Sequence, residues 1–270
     1  MDNLNLHTPP VNRYLIAGQL KLETIFPFKR PPVLNQAGGN LLHAAGGVSL
    51  WDTGVSLLSR VGKNFPLEKL KSLRSFGWDL SGIKQLSIDL DHRSFIAYEN
   101  YETLSRANPI DLFSQAGLVF PKELIGFQLP SDALDSRINP NSFSLKANDI
   151  PDDFLDATAA HICPLDYLSH SLLPPILRQG HLSTVTLEPG PGYMHPTFLD
   201  ALPGLLNGIT AFLPDEQNAL NLFQGRTNDL LEISNALASS GCEIIVIQRG
   251  SRGCFLYDHT SHSRWIIPAS

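Results

Sequence analysis

The chain has 270 residues, of which 43% are hydrophobic and 17% charged, a balance that suits a folded α/β domain with a sizeable core rather than a disordered or fibrous chain. Its formal charge of −6 gives no general attraction to nucleic acid or an anionic membrane, so neither is expected as a partner. The three cysteines, Cys163, Cys242 and Cys254, are odd in number and far apart, which excludes a zinc ribbon or a disulfide framework and fits a reducing, cytoplasmic setting.

The opening, MDNLNLHTPPV, is polar and reads as a loose tail with neither a signal peptide nor a membrane span. Residues 14–17 read as a buried strand ending at Gly18, followed by an alternating stretch through Leu20, Leu22 and Ile25. PFKRPP is a rigid loop, and small and apolar residues from Asn40 to Leu50 recur at helical spacing behind Gly38-Gly39. TGVSLLSRVG predicts a second buried strand, and FPLEKLKSLRSFGWD a helix ended near Gly77. SGIKQLSID and HRSFIAYEN predict two more strands. Residues 104–150 carry many Pro, Ser, Asn and Asp with little periodicity, and read as a partly structured insertion.

Beyond residue 150 the rhythm becomes regular. Strands AAHICP, STVTLEP, GITAFLP and EIIVIQRG alternate with helical segments, one of which should kink or split at Pro174-Pro175. GCFLYDH and SRWIIPA pair as a hairpin. Alternation with short connections predicts a mainly parallel sheet covered on both faces, whose ligands sit beyond the strand C-termini.

Three strand-end segments carry candidate chemistry. Gly38-Gly39-Asn40 opens a helix, where exposed N–H groups suit an anion or a hydroxyl-rich group, although such a pair also serves as a plain turn. Asp215 and Glu216 stand where a helix dipole favours acids, so capping explains them; alternatively Asp215 and Asn218, one turn apart, face a metal-bound phosphate. Gly250 and Gly253 form a turn between strands, or give a triphosphate access to the backbone beside Arg249 and Arg252. No Walker loop, Gly-x-Ser-x-Gly or GxGxxG fingerprint is present, which leaves P-loop, serine-hydrolase and dinucleotide readings without support.

In this order the segments resemble the PfkB, or ribokinase-like, carbohydrate kinases. YLIAGQLKLETIF is similar to that family's opening, GGNLLHAAGGVSLWDTGVSLLSRVGKNFP to its first signature, AFLPDEQNALNLF to its Asn-x-x-Glu segment, and VIQRGSRGCFLYD to its Thr-x-Gly-x-x-Gly stretch. The resemblance implies a three-layer α/β sandwich with a mainly parallel central sheet and a small β lid from about 19–27 and 83–99. It implies ATP and Mg2+ as cofactors, and a sugar, nucleoside or similar alcohol as acceptor. The acceptor side would comprise Lys21, Glu23, Gly38, Gly39 and His43; the phosphate side Glu188, Asp215, Asn218, Gln248, Arg249, Gly250 and Gly253. Several positions depart from the family pattern: Lys21 stands for Asn, Glu23 for Asp, His43 for Asn, Gln248 for Thr, Glu188 for Asp, and the Asn-x-x-Glu pair reads Asp215-x-x-Asn218. The family's Asp-Thr-x-Gly-Ala-Gly-Asp segment, with the base that activates the acceptor, would follow Ser270, so no catalytic base is assigned, no metal ligand is named, and the 270-residue chain is expected to be inactive alone. A homodimer through the lid is a further implication. The competing readings are a non-catalytic sugar- or nucleotide-binding relative and a generic Rossmann-like enzyme.

Overall fold

A computed structural model describes residues 12–101, 103–105, 107–130 and 133–269. The opening tail expected over the first eleven residues lies outside them.

Nine strands form one sheet in the order β12-β11-β10-β9-β8-β7-β1-β4-β5. Its centre comprises β1 (Tyr14–Ala17), β4 (Val55–Val61), β7 (Ala159–Ile162), β8 (Thr184–Leu187), β9 (Ala211–Phe212) and β10 (Ile244–Gln248), all parallel. At one edge the antiparallel hairpin β11 (Cys254–Asp258) and β12 (Ser263–Ile267) is added, as expected. Strand alternation explains why both faces must be covered. In β1, Leu15 and Ala17 join one apolar cluster with Leu173, Leu206, Ile233 and Ile245, whereas Ile16 joins another with Leu41, Ala45, Leu57 and Phe65. Helices α4 (Tyr167–Leu177), α5 (Leu202–Leu206) and α7 (Leu230–Ala238) supply the first cluster; α1 (Asn40–Ser49) and α2 (Leu67–Leu73) supply the second.

A separate three-stranded sheet has the order β3-β2-β6, with β2 (Lys21–Phe26) flanked by β3 (Val33–Gly38) and β6 (Arg93–Ala97). Its composition differs from the sequence expectation in two ways. β5 (Ile83–Gln85) does not join the small sheet: it pairs parallel with β4, and Ile83 packs on the α1/α2 cluster. β3 was not anticipated, because VLNQAG lacks alternating hydrophobicity and forms an edge whose Val33 and Leu34 stay exposed. Within β2 the buried residues are Glu23 and Thr24, not the Leu22–Ile25 face.

Helix α4 runs unbroken through Pro174 and Pro175, with Leu173, Pro174 and Leu177 buried. Packing of that face outweighs the missing N–H donors. The insertion folds as α3 (Pro109–Gln115) and short 3₁₀ turns. It is pinned to the sheet at Asp149, whose carboxylate accepts from Arg60 on β4 at 2.6 and 3.1 Å and pairs with Lys84 at 3.0 Å. Burial alone would raise the Asp149 carboxyl, but the bonds from Arg60, the Lys146 backbone N–H and Lys84 overcome it and hold the group below the usual range. Among the described residues no helix is long and apolar enough to cross a membrane.

Candidate functional site

The candidate residues gather in two corners beyond the C-terminal ends of the parallel strands. In the first, β1 ends and the chain turns through Gly18–Leu20 into β2, where Lys21 and Glu23 share one face. Glu23 is buried, and its Oε1 accepts from the Gly39 N–H at 2.8 Å and meets His43 Nε2 at 3.3 Å. This approach requires the glycines. A Cβ on Gly38 would stand 2.2 Å from Glu23 Oε2, and Gly39 turns the chain into α1 at φ 97°, where a Cβ would meet the Gln19 carbonyl oxygen at 2.2 Å. Glu23 Oε2 is buried and, among the described residues, has no hydrogen-bond partner.

Three residues outside the sequence-derived set complete this corner. Asn40 accepts from the Gln19 N–H and donates to the Pro164 carbonyl, both at 2.8 Å, tying the β1–β2 turn to the end of β7. His92 is buried; its Nε2 accepts from the Gly62 N–H at 2.9 Å and Nδ1 faces the Leu20 carbonyl at 3.2 Å, the pattern of a neutral ring protonated on Nδ1. Burial, aided by the Lys21 charge, lowers its pKa. Phe143, from the insertion, lies beneath the Lys21 ammonium, 4.6 Å from ring centroid to Nζ, and meets the His92 ring edge-on. Asn40 was legible as the residue after Gly-Gly, whereas His92 and Phe143 carry no local signal because their partners are distant in sequence.

The second corner gathers Glu188 after β8, Asp215 after β9, and Gln248 and Arg249 at the end of β10. Gln248 Nε2 donates to the Leu213 carbonyl at 3.1 Å and toward Glu188 Oε1 at 3.4 Å. Burial raises the Glu188 pKa, with Gln248 opposing and the Asp215 charge adding to the rise. Asp215 caps α6 (Glu216–Leu222): one oxygen accepts from the Asn218 N–H and the other from Asn218 Nδ2, both at 2.7 Å. The two side chains expected to face a phosphate together are thus turned on each other. Glu216 takes Arg249 at 3.1 Å and also contacts Arg252. Gly250 and Gly253 bracket a 3₁₀ turn at φ 57° and 78°, and a Cβ on Gly253 would stand 1.9 Å from the Ile267 carbonyl oxygen, so the hairpin itself demands that glycine.

These features define a ribokinase-like fold, and comparison with solved structures shows the same. The chain superposes with a TM-score of 0.64 and 15% identity on a putative ribokinase II of E. coli in complex with ATP and Mg2+, covering 96% of this chain and 79% of that one. A fructokinase of Vibrio cholerae with fructose, ADP and potassium gives 0.60 at 14% identity, covering 97% and 77%. By sequence, the chain is 24% identical over 252 residues to a cytidine kinase of Thermococcus kodakarensis, spanning 90% of this chain and 75% of the relative. No family model matches. The resemblance to PfkB carbohydrate kinases therefore holds at the level of the fold.

Proposed function

We propose that the chain is an ATP-dependent phosphotransferase acting on a hydroxyl of a sugar, nucleoside or related small alcohol. One observation carries the reading: beyond the C-terminal ends of the parallel strands lie Glu23, on the small sheet that follows β1, with a buried oxygen that has no hydrogen-bond partner among the described residues, and Glu188, half-buried after β8. The relatives named above bind or act on sugars, a nucleoside and ATP, which supports the same division of labour.

On the acceptor side Glu23, seated against Gly38 and Gly39, would accept a hydrogen bond from a substrate hydroxyl, with His43 at the rim. On the phosphate side the acids suit a cation held mainly by phosphate oxygens. Among the described residues no group of three or more His, Cys, Asp or Glu could hold a metal ion by itself. Magnesium in kinase sites needs only one or two protein carboxylates, and Glu188, whose pKa is raised by burial with the Asp215 charge adding, would supply one of them. Glu188 and Asp215 would hold it, and bound Mg2+ would offset charge on the phosphate oxygens. Arg249 and Gln248 would line the nucleotide beside the Gly250–Gly253 turn.

A second reading, a binding protein that kept the fold, is favoured by the self-paired Asp215–Asn218 and Glu216–Arg249 groups. Calorimetry with Mg-ATP and a panel of sugars and nucleosides tests both. Saturable, Mg2+-dependent ATP binding is expected, and ADP release on adding an acceptor would overturn the expectation that the 270-residue chain is inactive alone; acceptor binding that Mg-ATP leaves unchanged favours the second reading, and no ATP binding refutes the first. We also propose a homodimer through the exposed β3 edge at Val33 and Leu34, and a cytoplasmic location. A monomeric mass by light scattering would refute the dimer.

A further inference from the structure

Helix α6 has different neighbours on its two sides. The strand that feeds it, β9, lies between β10 and β8 in the sheet. Glu216 is turned to the β10 side, where it holds Arg249 and Arg252. Asn218 is two residues on, about 200° further round the helix, and so faces away from those arginines. On that side a cavity of about 360 Å³ opens between α6, the loop that follows β8 and the insertion at Leu134. Its volume falls within the range of small-molecule sites, ~300–1,000 Å³. It lies across α6 from the Gly250–Gly253 turn, beside which the nucleotide is proposed to run.

The lining combines an apolar wall with neutral polar groups. Leu134, Pro191 and Met194 supply the wall, Asn218, Asn221 and His195 the polar groups, and no Lys, Arg, Asp or Glu lines the cavity among the described residues. Each polar side chain uses one end inside the protein and keeps the other. Asn218 Nδ2 donates to Asp215 at 2.7 Å, which leaves Oδ1 as an acceptor. Asn221 Oδ1 accepts from Gln217 Nε2 at 2.8 Å, which leaves Nδ2 as a donor. His195 Nδ1 accepts from the Thr197 N–H at 3.3 Å and faces the Thr197 hydroxyl at 2.9 Å, so its proton sits on Nε2. Three residues apart on a helix, Asn218 and Asn221 are surface neighbours, and acceptor and donor stand side by side.

An adjacent acceptor and donor beside an apolar wall, without charge, complement a flat heterocycle that carries a donor next to an acceptor. Amide side chains pair in this way with the amino and ring-nitrogen edge of a base. A phosphate would find no cation in the lining, and a polyol would leave the apolar wall unmatched. We propose that this cavity binds a free nucleobase with an amino group beside a ring nitrogen, adenine or cytosine. The amino group donates to Asn218 Oδ1, the ring nitrogen accepts from Asn221 Nδ2, and the ring face lies against Leu134, Pro191 and Met194. A free base has neither an alcohol to phosphorylate nor a phosphate to give, so the site goes beyond the phosphotransferase reading and does not rest on it.

The test titrates the purified chain by calorimetry with adenine, cytosine, dimethyladenine and AMP, and follows the side-chain amide signals of Asn218 and Asn221 by NMR on isotope-labelled protein. Adenine or cytosine is expected to bind saturably and to shift both amide signals. Dimethyladenine keeps the ring but has no amino hydrogen, and should bind about tenfold more weakly than adenine, the size of one lost hydrogen bond. AMP should bind no more tightly than adenine. Asn221→Asp keeps the acceptor for Gln217 and replaces the donor with a carboxylate oxygen; at an exposed position it should melt like the wild type and lose about tenfold or more in base affinity. Should that variant not fold, the amide shifts of the wild type decide. Failure of both bases to bind, equal binding of dimethyladenine, or tighter binding of AMP overturns the inference. So does base binding that leaves the two amides unmoved or survives Asn221→Asp. None of these outcomes depends on whether Mg-ATP binds, so this inference and the phosphotransferase reading fail separately.

Discussion

At the corner proposed for the acceptor, Glu23 has one buried oxygen without a partner among the described residues and Lys21 holds its charge over an aromatic ring; at the corner proposed for the phosphates, Asp215 turns both oxygens on Asn218, and Glu216 takes two arginines. The first corner retains unmet polar demand, which costs stability in the free protein and is returned when a ligand supplies the partners. The second is internally satisfied, so under the proposed function a triphosphate would have to displace existing pairs to gain contacts there. One site therefore combines a preorganised half with a half that has to exchange partners.

The largest effect should come from detaching the insertion. Asp149→Ala leaves Arg60 buried without its carboxylate, and breaking one partner of such a pair costs about 3–5 kcal/mol. Because Asp149 anchors the segment that brings Phe143 to Lys21, thermal melting should fall steeply and acceptor binding should weaken while nucleotide binding by the folded fraction is retained. Equal loss on both sides would show that the corners are not separable.

Glu23→Gln comes next. It keeps the shape but removes a buried charge with an unpaired oxygen, so the variant is expected to melt no lower than the wild type while losing acceptor affinity by about tenfold, roughly 1.4 kcal/mol. A destabilised variant with unchanged acceptor binding would show that Glu23 serves the fold through Gly39 and not the ligand. At the other corner Glu216→Ala releases Arg249 and Arg252, and affinity for tripolyphosphate, measured by competition, should rise several-fold. A fall would mean that Glu216 orients the arginines rather than occupying them.

How much of this was legible in the sequence follows the same division. The parallel sheet was legible because β1, β4, β7 and β10 are short apolar runs bounded by turn residues, and Gly77 ends its helical segment in the left-handed region at φ 76°. The Gly38-Gly39 pair was legible as a close approach at a helix start, but the group that approaches is the Glu23 carboxylate, where the sequence reading expected a ligand. Edge strand β3 and the true register of the small sheet were not, since VLNQAG buries little and hydrophobic pattern is what fixes a strand in sequence. Phe143 and His92 escaped for another reason: their roles arise from contacts 122 and 72 residues away, with Lys21 and Leu20, and nothing local encodes such a meeting. At Asp215 both a cap and a phosphate ligand were open from the sequence, and the structure realises the cap.

The smallest effect, and the finest test of the contrast, is in pH. The Glu188 pKa is raised through burial and then the Asp215 charge, with the Gln248 bond too weak to offset them. A carboxyl with a raised folded pKa binds more protons in the folded state than in the unfolded one across the window between the two values. Stability should therefore fall as pH rises out of the ordinary carboxylate range and through the folded pKa, the reverse of Asp149, whose lowered pKa contributes stability that is lost as pH falls. Glu188→Gln should flatten the first slope and leave the second. A divalent cation bound at Glu188 would favour the ionised form, so added Mg-ATP should lower the Glu188 pKa and shift its slope to lower pH, whereas an acceptor probe alone should not. If Mg-ATP leaves the wild-type pH profile unchanged, Glu188 does not meet the cation, and its raised pKa reflects burial in the fold alone.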